Sequence, residues 1–139
     1  MVGHVRRATT ADLPRIWEIR YAVHENRLAR GIVTDADCEW FIANPGIWLW
    51  DEDGRVLGFS ASDTRDGSVW ALFLDPAAER RGIGRALFEA AVAVLRDAGF
   101  RKAKLSTEPG TRAEKFYSRA GWIAGGLTEN GERIFETTL

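Results

Sequence analysis

The chain is short of the residue types that staple or metallate small proteins: its 139 residues include one cysteine, two histidines and four prolines. With Cys38 alone no disulfide framework forms within the chain, and so few soft ligands do not build a zinc cluster. Charge of one sign is also missing. Lys and Arg number 19 against 20 Asp and Glu, a formal net charge of -1, so the basic excess that carries nucleic-acid binding is absent and any anion site must be local. No apolar run approaches the ~20 residues of a membrane-spanning helix. The opening MVGHVRRATTADL has basic residues but not the apolar stretch of a secretory signal. The expectation is a single domain over residues 1–139, soluble and cytoplasmic, with no metal, nucleic-acid or membrane partner.

What is present is periodic. Residues 4–8, HVRRA, read as an opening strand. In TTADLPRIWEIRYAVHENR, Thr10 or Asp12 caps a helix beginning near Pro14, with Leu13, Ile16, Trp17, Ile19, Tyr21 and Val23 mostly at helical spacing. Thr34 with Asp37 marks a second short helix through DADCEWFIAN, stopped at Asn44, Pro45 and Gly46. The period then drops to that of strands. IWLW, a DEDG turn and RVLGFSA form a hairpin, and DTRDG leads into SVWALFL as the third strand of a meander. Ile83, Leu87, Ala90, Ala91, Val94, Leu95 and Ala98 recur as one face of an amphipathic helix that Gly99 ends. KAKLST is the next strand. A shorter helix carries Ala113, Phe116, Tyr117 and Ala120 up to Gly121, and Trp122 to Ala124 and ERIFETTL finish the sheet around a TENGE turn.

The order β-α-α-β-β-β-α-β-α-β-β describes an α/β (α+β) domain: a mixed, mostly antiparallel sheet flanked by helices. Residues 68–107 run strand, helix, strand, which makes the fourth and fifth strands parallel neighbours through a right-handed crossover.

The stretch DPAAERRGIGRALFEAAVAVL carries the chemistry. At a helix start the first N–H groups lack intrahelical partners and the dipole adds about half a positive charge. Phosphate suits that position: Gly82 and Gly84 permit close approach, and Arg80, Arg81 and Arg85 add charge. A plain glycine loop with a solvated basic edge is the bland alternative. A nucleoside-triphosphate P-loop requires G-K-[ST], and here the run is Gly-Ile-Gly-Arg-Ala. A dinucleotide fingerprint requires a third glycine where Leu87 stands.

The same stretch resembles the GNAT N-acetyltransferase superfamily: a strand ending before proline, a loop of the form Q/R-x-x-G-x-G/A, then a long helix. A second match follows at the family's separation, where GTRAEKFYSRAGW resembles N-x-x-A-x-x-F/L-Y-x-x-x-G-F/W. Glu79 and Gly110 depart from the pattern, standing where the family usually has Gln or Arg and Asn. The resemblance implies the GNAT fold, a sheet of about seven strands with four helices, and acetyl-CoA (coenzyme A) as co-substrate. It further implies that the fourth and fifth strands splay, so that the pantetheine arm lies along the backbone of Leu72, Phe73 and Leu74 as an added strand. Arg81, Gly82, Ile83, Gly84 and Arg85 then surround the pyrophosphate, and a main-chain N–H near Leu74 faces the oxyanion.

Transfer to a primary amine of a small molecule or peptide follows, by direct attack in a ternary complex, and the resemblance admits a homodimer. Tyr117 is the implied acid for the departing thiolate, since a phenol of pKa about 10 keeps its proton at neutral pH. Its helical spacing equally describes an ordinary buried face. SVWALFL has no acidic residue, whereas many family members carry a base there. His24, Glu25 and Asp63 are the remaining candidates on the acceptor side, and that missing carboxylate keeps a non-catalytic acyl-CoA sensor as the alternative. Cys38 shares a helical face with Phe41 and Ile42 and reads as core, with a ping-pong nucleophile the alternative. Trp48, Trp50 and Trp70, in predicted strands, read mostly as packing, with one of them as a wall of the acceptor pocket the alternative.

Overall fold

The computed structural model describes residues 3–22, 34–78, 81–129 and 131–139. Its strands are β1 (Gly3–Arg7), β2 (Ile47–Glu52), β3 (Arg55–Asp63), β4 (Ser68–Leu74), β5 (Lys102–Thr107), β6 (Ile123–Leu127) and β7 (Arg133–Thr138). Its helices are α1 (Leu13–Ala22), α2 (Asp35–Ala43), α3 (Ile83–Asp97) and α4 (Arg112–Arg119). The seven strands form one sheet in the order β1-β2-β3-β4-β5-β7-β6. β4 and β5 run parallel, as the crossover predicts, and the other pairs are antiparallel.

The local signals act where the sequence puts them, with one shift. A single 3-10 turn, Thr10–Asp12, precedes α1, and its N-cap is Thr9 rather than Thr10 or Asp12. The reason lies in Asp12, which accepts from the Thr9 N–H at 2.8 Å while Arg6 of β1 grips both its oxygens at 3.0 Å. That double engagement fixes Asp12 inside the turn. Thr34 and Asp37 form the expected reciprocal cap of α2.

Apolar alternation along each strand then assigns the two faces. On one, α1 and α2 bury Ile16, Ile19, Cys38 and Phe41 against Leu49, Phe59, Ala61 and Phe73. On the other, α3 sets Ile83 and Leu87 over Leu57, and Ala91, Val92 and Leu95 join Val69, Ala103, Leu105 and Tyr117 of α4. Fully burying one such side chain stabilises by about 1.5–3 kcal/mol, so this double layer is the main favourable contribution to folding. Two buried hydroxyls reinforce it: Ser60 and Ser62 of β3 donate to the carbonyls of Leu87 and Ala91 at 2.8 and 2.7 Å. Pinning α3 to β3 fixes where its first turn sits. Among the described residues, no helix is long and apolar enough to cross a membrane.

Candidate active site

β4 changes register halfway along. Ala61 pairs with Ala71 but Ser62 pairs with Val69, so Trp70 is an extra residue with no opposite number on β3. Such a bulge bends the strand and turns consecutive side chains to one face. Accordingly Trp70 meets Phe41 of α2 at 4.6 Å between ring centroids and Ala71 joins the same core. Val69 and Leu72 pack beneath α3 and α4.

β4 and β5 part company just before this bulge. Their register holds one pair, Ser68 with Lys104, so from Val69 to Leu74, a span of roughly 17 Å at strand rise, the β5 side of β4 has no neighbouring strand. Each strand residue directs its backbone groups alternately to its two edges. The expected platform of Leu72, Phe73 and Leu74 lies along this parted stretch.

At the wide end of the opening stands the start of α3. Its N-cap, Gly82, is left-handed at φ 78 and supplies no capping side chain. Only glycine holds that conformation without a steric penalty. The first intrahelical bond runs from the Ala86 N–H to the Gly82 carbonyl, so the N–H groups of Ile83, Gly84 and Arg85 are the orphan donors of the helix end. Gly84 has a second role, because a Cβ there would meet Leu74 Cδ1 at 3.3 Å and Phe116 Cε1 at 3.7 Å. Its absence lets the helix start directly against the end of β4 and against α4.

The arginines are not equivalent. Arg81 donates to Glu52 Oε1 of β2 at 2.7 Å, and the guanidinium holds the Glu52 carboxyl below its usual range. That leaves Arg81 anchored at one nitrogen with further donors for an anion. Arg85 is exposed in the first turn of α3. Arg80, like Glu79, lies outside the described residues.

Tyr117 is 5% exposed and belongs to the same cluster as Val69 and Leu105, the residues just inside the point where the strands separate. Its ring meets Phe116, Trp122 and Phe135 at 5.4 to 5.9 Å. The packing reading and the position at the inner end of the opening therefore coincide. Asp63 stands at the β3–β4 turn, where Arg65 grips both its oxygens and lowers its pKa. Arg65 in turn lies 4.4 Å over Trp40. So held, Asp63 is ionised and weakly basic. His24 and Glu25 lie outside the described residues. Cys38 is 2% exposed and burial pushes its thiol pKa up, as fits a core side chain.

A cleft of about 280 Å³ opens at the point of separation, between Ser68, Val69 and Trp70 of β4 and Lys104, Leu105 and Ser106 of β5, with Thr128 and Ile134 at its side. Ser106 and Thr128 were not site residues on the sequence. Nothing in KAKLST or TENGE separates them from ordinary strand and turn positions.

A parted parallel pair with an uncapped helix N-terminus at its wide end and a cleft at its narrow end defines a class. That class is of proteins whose parted sheet edge leaves an open strand between a helix end suited to an anion and a cleft. The chain matches the Acetyltransferase (GNAT) family over residues 13–122 and belongs to it.

Among its relatives, the peptidyl-lysine N-acetyltransferase YiaC of Escherichia coli K12 is 45% identical over 49 residues, 35% of this chain and 33% of that protein. A mycothiol acetyltransferase of Propionibacterium freudenreichii is 28% identical over 124 residues, 80% of this chain and 40% of that one. The chain thus spans a third to two fifths of the length of these relatives. The crystal structure of paiA N-acetyltransferase from Thermoplasma acidophilum in complex with coenzyme A superposes with a TM-score of 0.81 at 15% identity, covering 100% of both chains. That likeness establishes the fold.

Proposed function

We propose that this protein is an N-acetyltransferase that moves an acetyl group from acetyl-CoA to a primary amine by direct attack in a ternary complex. The observation that carries the reading is the opening between β4 and β5, ended by the uncapped start of α3. The pyrophosphate accepts from the N–H groups after Gly82 with Arg81 and Arg85 beside it, since donors and helix dipole favour an anion there. The pantetheine arm runs along Leu74, Phe73 and Leu72 as an added strand. Its thioester then arrives near the cleft, at the end where Val69, Leu105 and Tyr117 cluster.

The amine nitrogen attacks the thioester carbon, and a main-chain N–H on the parted edge of β4 at its cleft end, rather than near Leu74 beside the pyrophosphate, stabilises the oxyanion. As the carbon–sulfur bond breaks, Tyr117 protonates the departing thiolate. Cys38 takes no part. The acceptor is a small molecule or a peptide, and the names of the two relatives include one of each kind.

Following free thiol release from acetyl-CoA with a panel of primary amines tests this. Turnover with at least one amine is expected. Stabilisation by acetyl-CoA without any thiol release would instead favour an acyl-CoA sensor, in keeping with a fourth strand, SVWALFL, that carries no carboxylate.

A further inference from the structure

A carboxylate absent from β4 is present across the cleft. Glu132, the residue before β7, is 8% exposed, and its Oε2 is the one buried carboxylate oxygen without a hydrogen-bond partner among the described residues. A buried, half-satisfied acid costs stability, and such a group calls for a reason. Its position is fixed on both sides. The Thr128 N–H donates to the Glu132 carbonyl at 2.8 Å, and the Glu132 N–H donates to Thr128 Oγ1 at 3.1 Å.

The other oxygen connects to the cleft. Ser106 Oγ donates to Glu132 Oε1 at 2.9 Å, and Ser106 itself lines the cleft beside Trp70. Register explains the contact: Ser106 stands opposite Ile134, which makes Glu132 its diagonal neighbour on the same face. That face is opposite to the one on which Ala103, Leu105 and Phe135 meet α3 and α4. The neighbouring charges are Lys104 on β5 and Glu136 on β7, which share the face, with Glu108 just after β5 and Glu129 within the β6–β7 turn. Arg133 is directed to Glu114 of α4 instead, 3.7 Å away.

The geometry points to Ser106 and Glu132 as the proton-accepting pair of the acceptor subsite, which receives a primary ammonium and delivers the free amine. The inference rests on the acetyl-transfer reading. The ammonium gives one proton to Ser106 Oγ while the hydroxyl's own proton moves along its existing bond to Glu132 Oε1. The products are a neutral amine, an intact hydroxyl and a carboxylic acid, which returns its proton to water after the turnover. When nitrogen bonds to the acetyl carbon and the carbon–sulfur bond breaks, the second proton lost by nitrogen balances the one gained by the thiolate. Ser106 touches the substrate, and Glu132 acts through it.

The test is the pH dependence of kcat/KM for the acceptor, measured from about pH 6 to 9 with acetyl-CoA saturating. The acceptors are a lysine peptide, a polyamine, an amino sugar and a free amino acid. If the pair accepts the proton, the parent protein uses the ammonium and its profile is flat from about pH 6 up to the acceptor's amine pKa. Ser106→Ala and Glu132→Gln use only the free amine, so their profiles rise about one log unit per pH unit up to the acceptor's own amine pKa, which for the lysine peptide is about 10.4.

At pH 7 each variant loses about 10²-fold in kcat/KM, the double variant loses no more than the worse single one, and Ser106→Thr keeps most of the activity. Glu132→Gln keeps its bond to Ser106 and melts no lower than the parent, so lost activity is not lost folding. A parent that acetylates an amine while both variants retain its flat profile overturns the pair alone. A unit slope in the parent does the same. No turnover of any amine by the parent overturns the proposed function, and the pair with it.

Discussion

At the scale of single residues the proposed reaction divides among a tyrosine within a core, the Ser106–Glu132 pair across the cleft and several main-chain groups. Tyr117 is packed by aromatic rings on three sides, so Tyr117→Phe keeps nearly all its contacts and removes only the hydroxyl. Turnover should fall about 10²-fold, with KM for acetyl-CoA within about twofold, because the lost term belongs to the leaving group in the transition state. Steady-state kinetics of the two proteins decide it. Unchanged kcat removes Tyr117 from the mechanism and leaves it as packing. Cys38 shows the contrast: burial holds it as a thiol, and a thiol so placed is a small apolar side chain rather than a nucleophile.

At the scale of elements, the proposed phosphate end of the site depends on the α3 N-terminus being where it is and uncapped. Gly82 is left-handed at φ 78 with nothing within 4 Å of where a Cβ would stand. Gly82→Ala therefore meets no clash and isolates the backbone cost, about 1–2 kcal/mol for a non-glycine residue held left-handed. Urea denaturation should show that loss, with Gly82→Asn losing less because asparagine tolerates the left-handed region better. Equal stability of all three proteins would mean that the loop relaxes elsewhere.

The helix, its glycine stop and its glycine start were legible in the sequence because spacing and backbone freedom are local properties. So was the parallel pairing of β4 and β5, which follows from crossover handedness. The bulge at Trp70 was not legible, since it depends on the registers of Ala61 and Ser62 across the strand. Ser60 and Ser62 looked like interruptions of an apolar strand, and their roles emerge only once α3 presents carbonyls to them. Glu132 was hidden for the same reason: a turn reading of TENGE gives no sign that one of its acids is buried against Ser106.

At the scale of the whole molecule, the charges that hold the fold lie apart from those proposed for chemistry, and pH separates them. Arg6 binds Asp12 and Asp51 together, joining β1 to the turn before α1 and to β2. The Ala77 N–H and Arg15 hold Asp75 just beyond β4, and Arg15 also donates to the Val56 carbonyl at 2.8 Å. Hydrogen bonds from Arg6 lower the pKa of both Asp12 and Asp51, and those from Ala77 and then Arg15 lower that of Asp75. For a carboxylate with its folded pKa depressed, the unfolded chain binds the proton first. The stabilisation is complete above the unfolded value of about 3.9 and is lost as pH falls through the lower folded value.

Stability to urea should accordingly hold from neutral pH to about pH 5 and fall steeply below about pH 4. Arg6→Met releases two carboxylates at once, so it should be less stable than the parent at pH 7 and lose less between pH 5 and pH 3. Asp75→Asn should flatten the same limb by a smaller amount, since it removes one depressed group rather than two. Parallel profiles for the parent and Arg6→Met would show that these bonds fix geometry without coupling folding to protons. Because the clusters bracket β1, α1 and the end of β4, while Ser106 and Glu132 lie across the cleft on β5 and beside β7, Arg6→Met should leave the pH profile of acetyl transfer above pH 6 as it is in the parent.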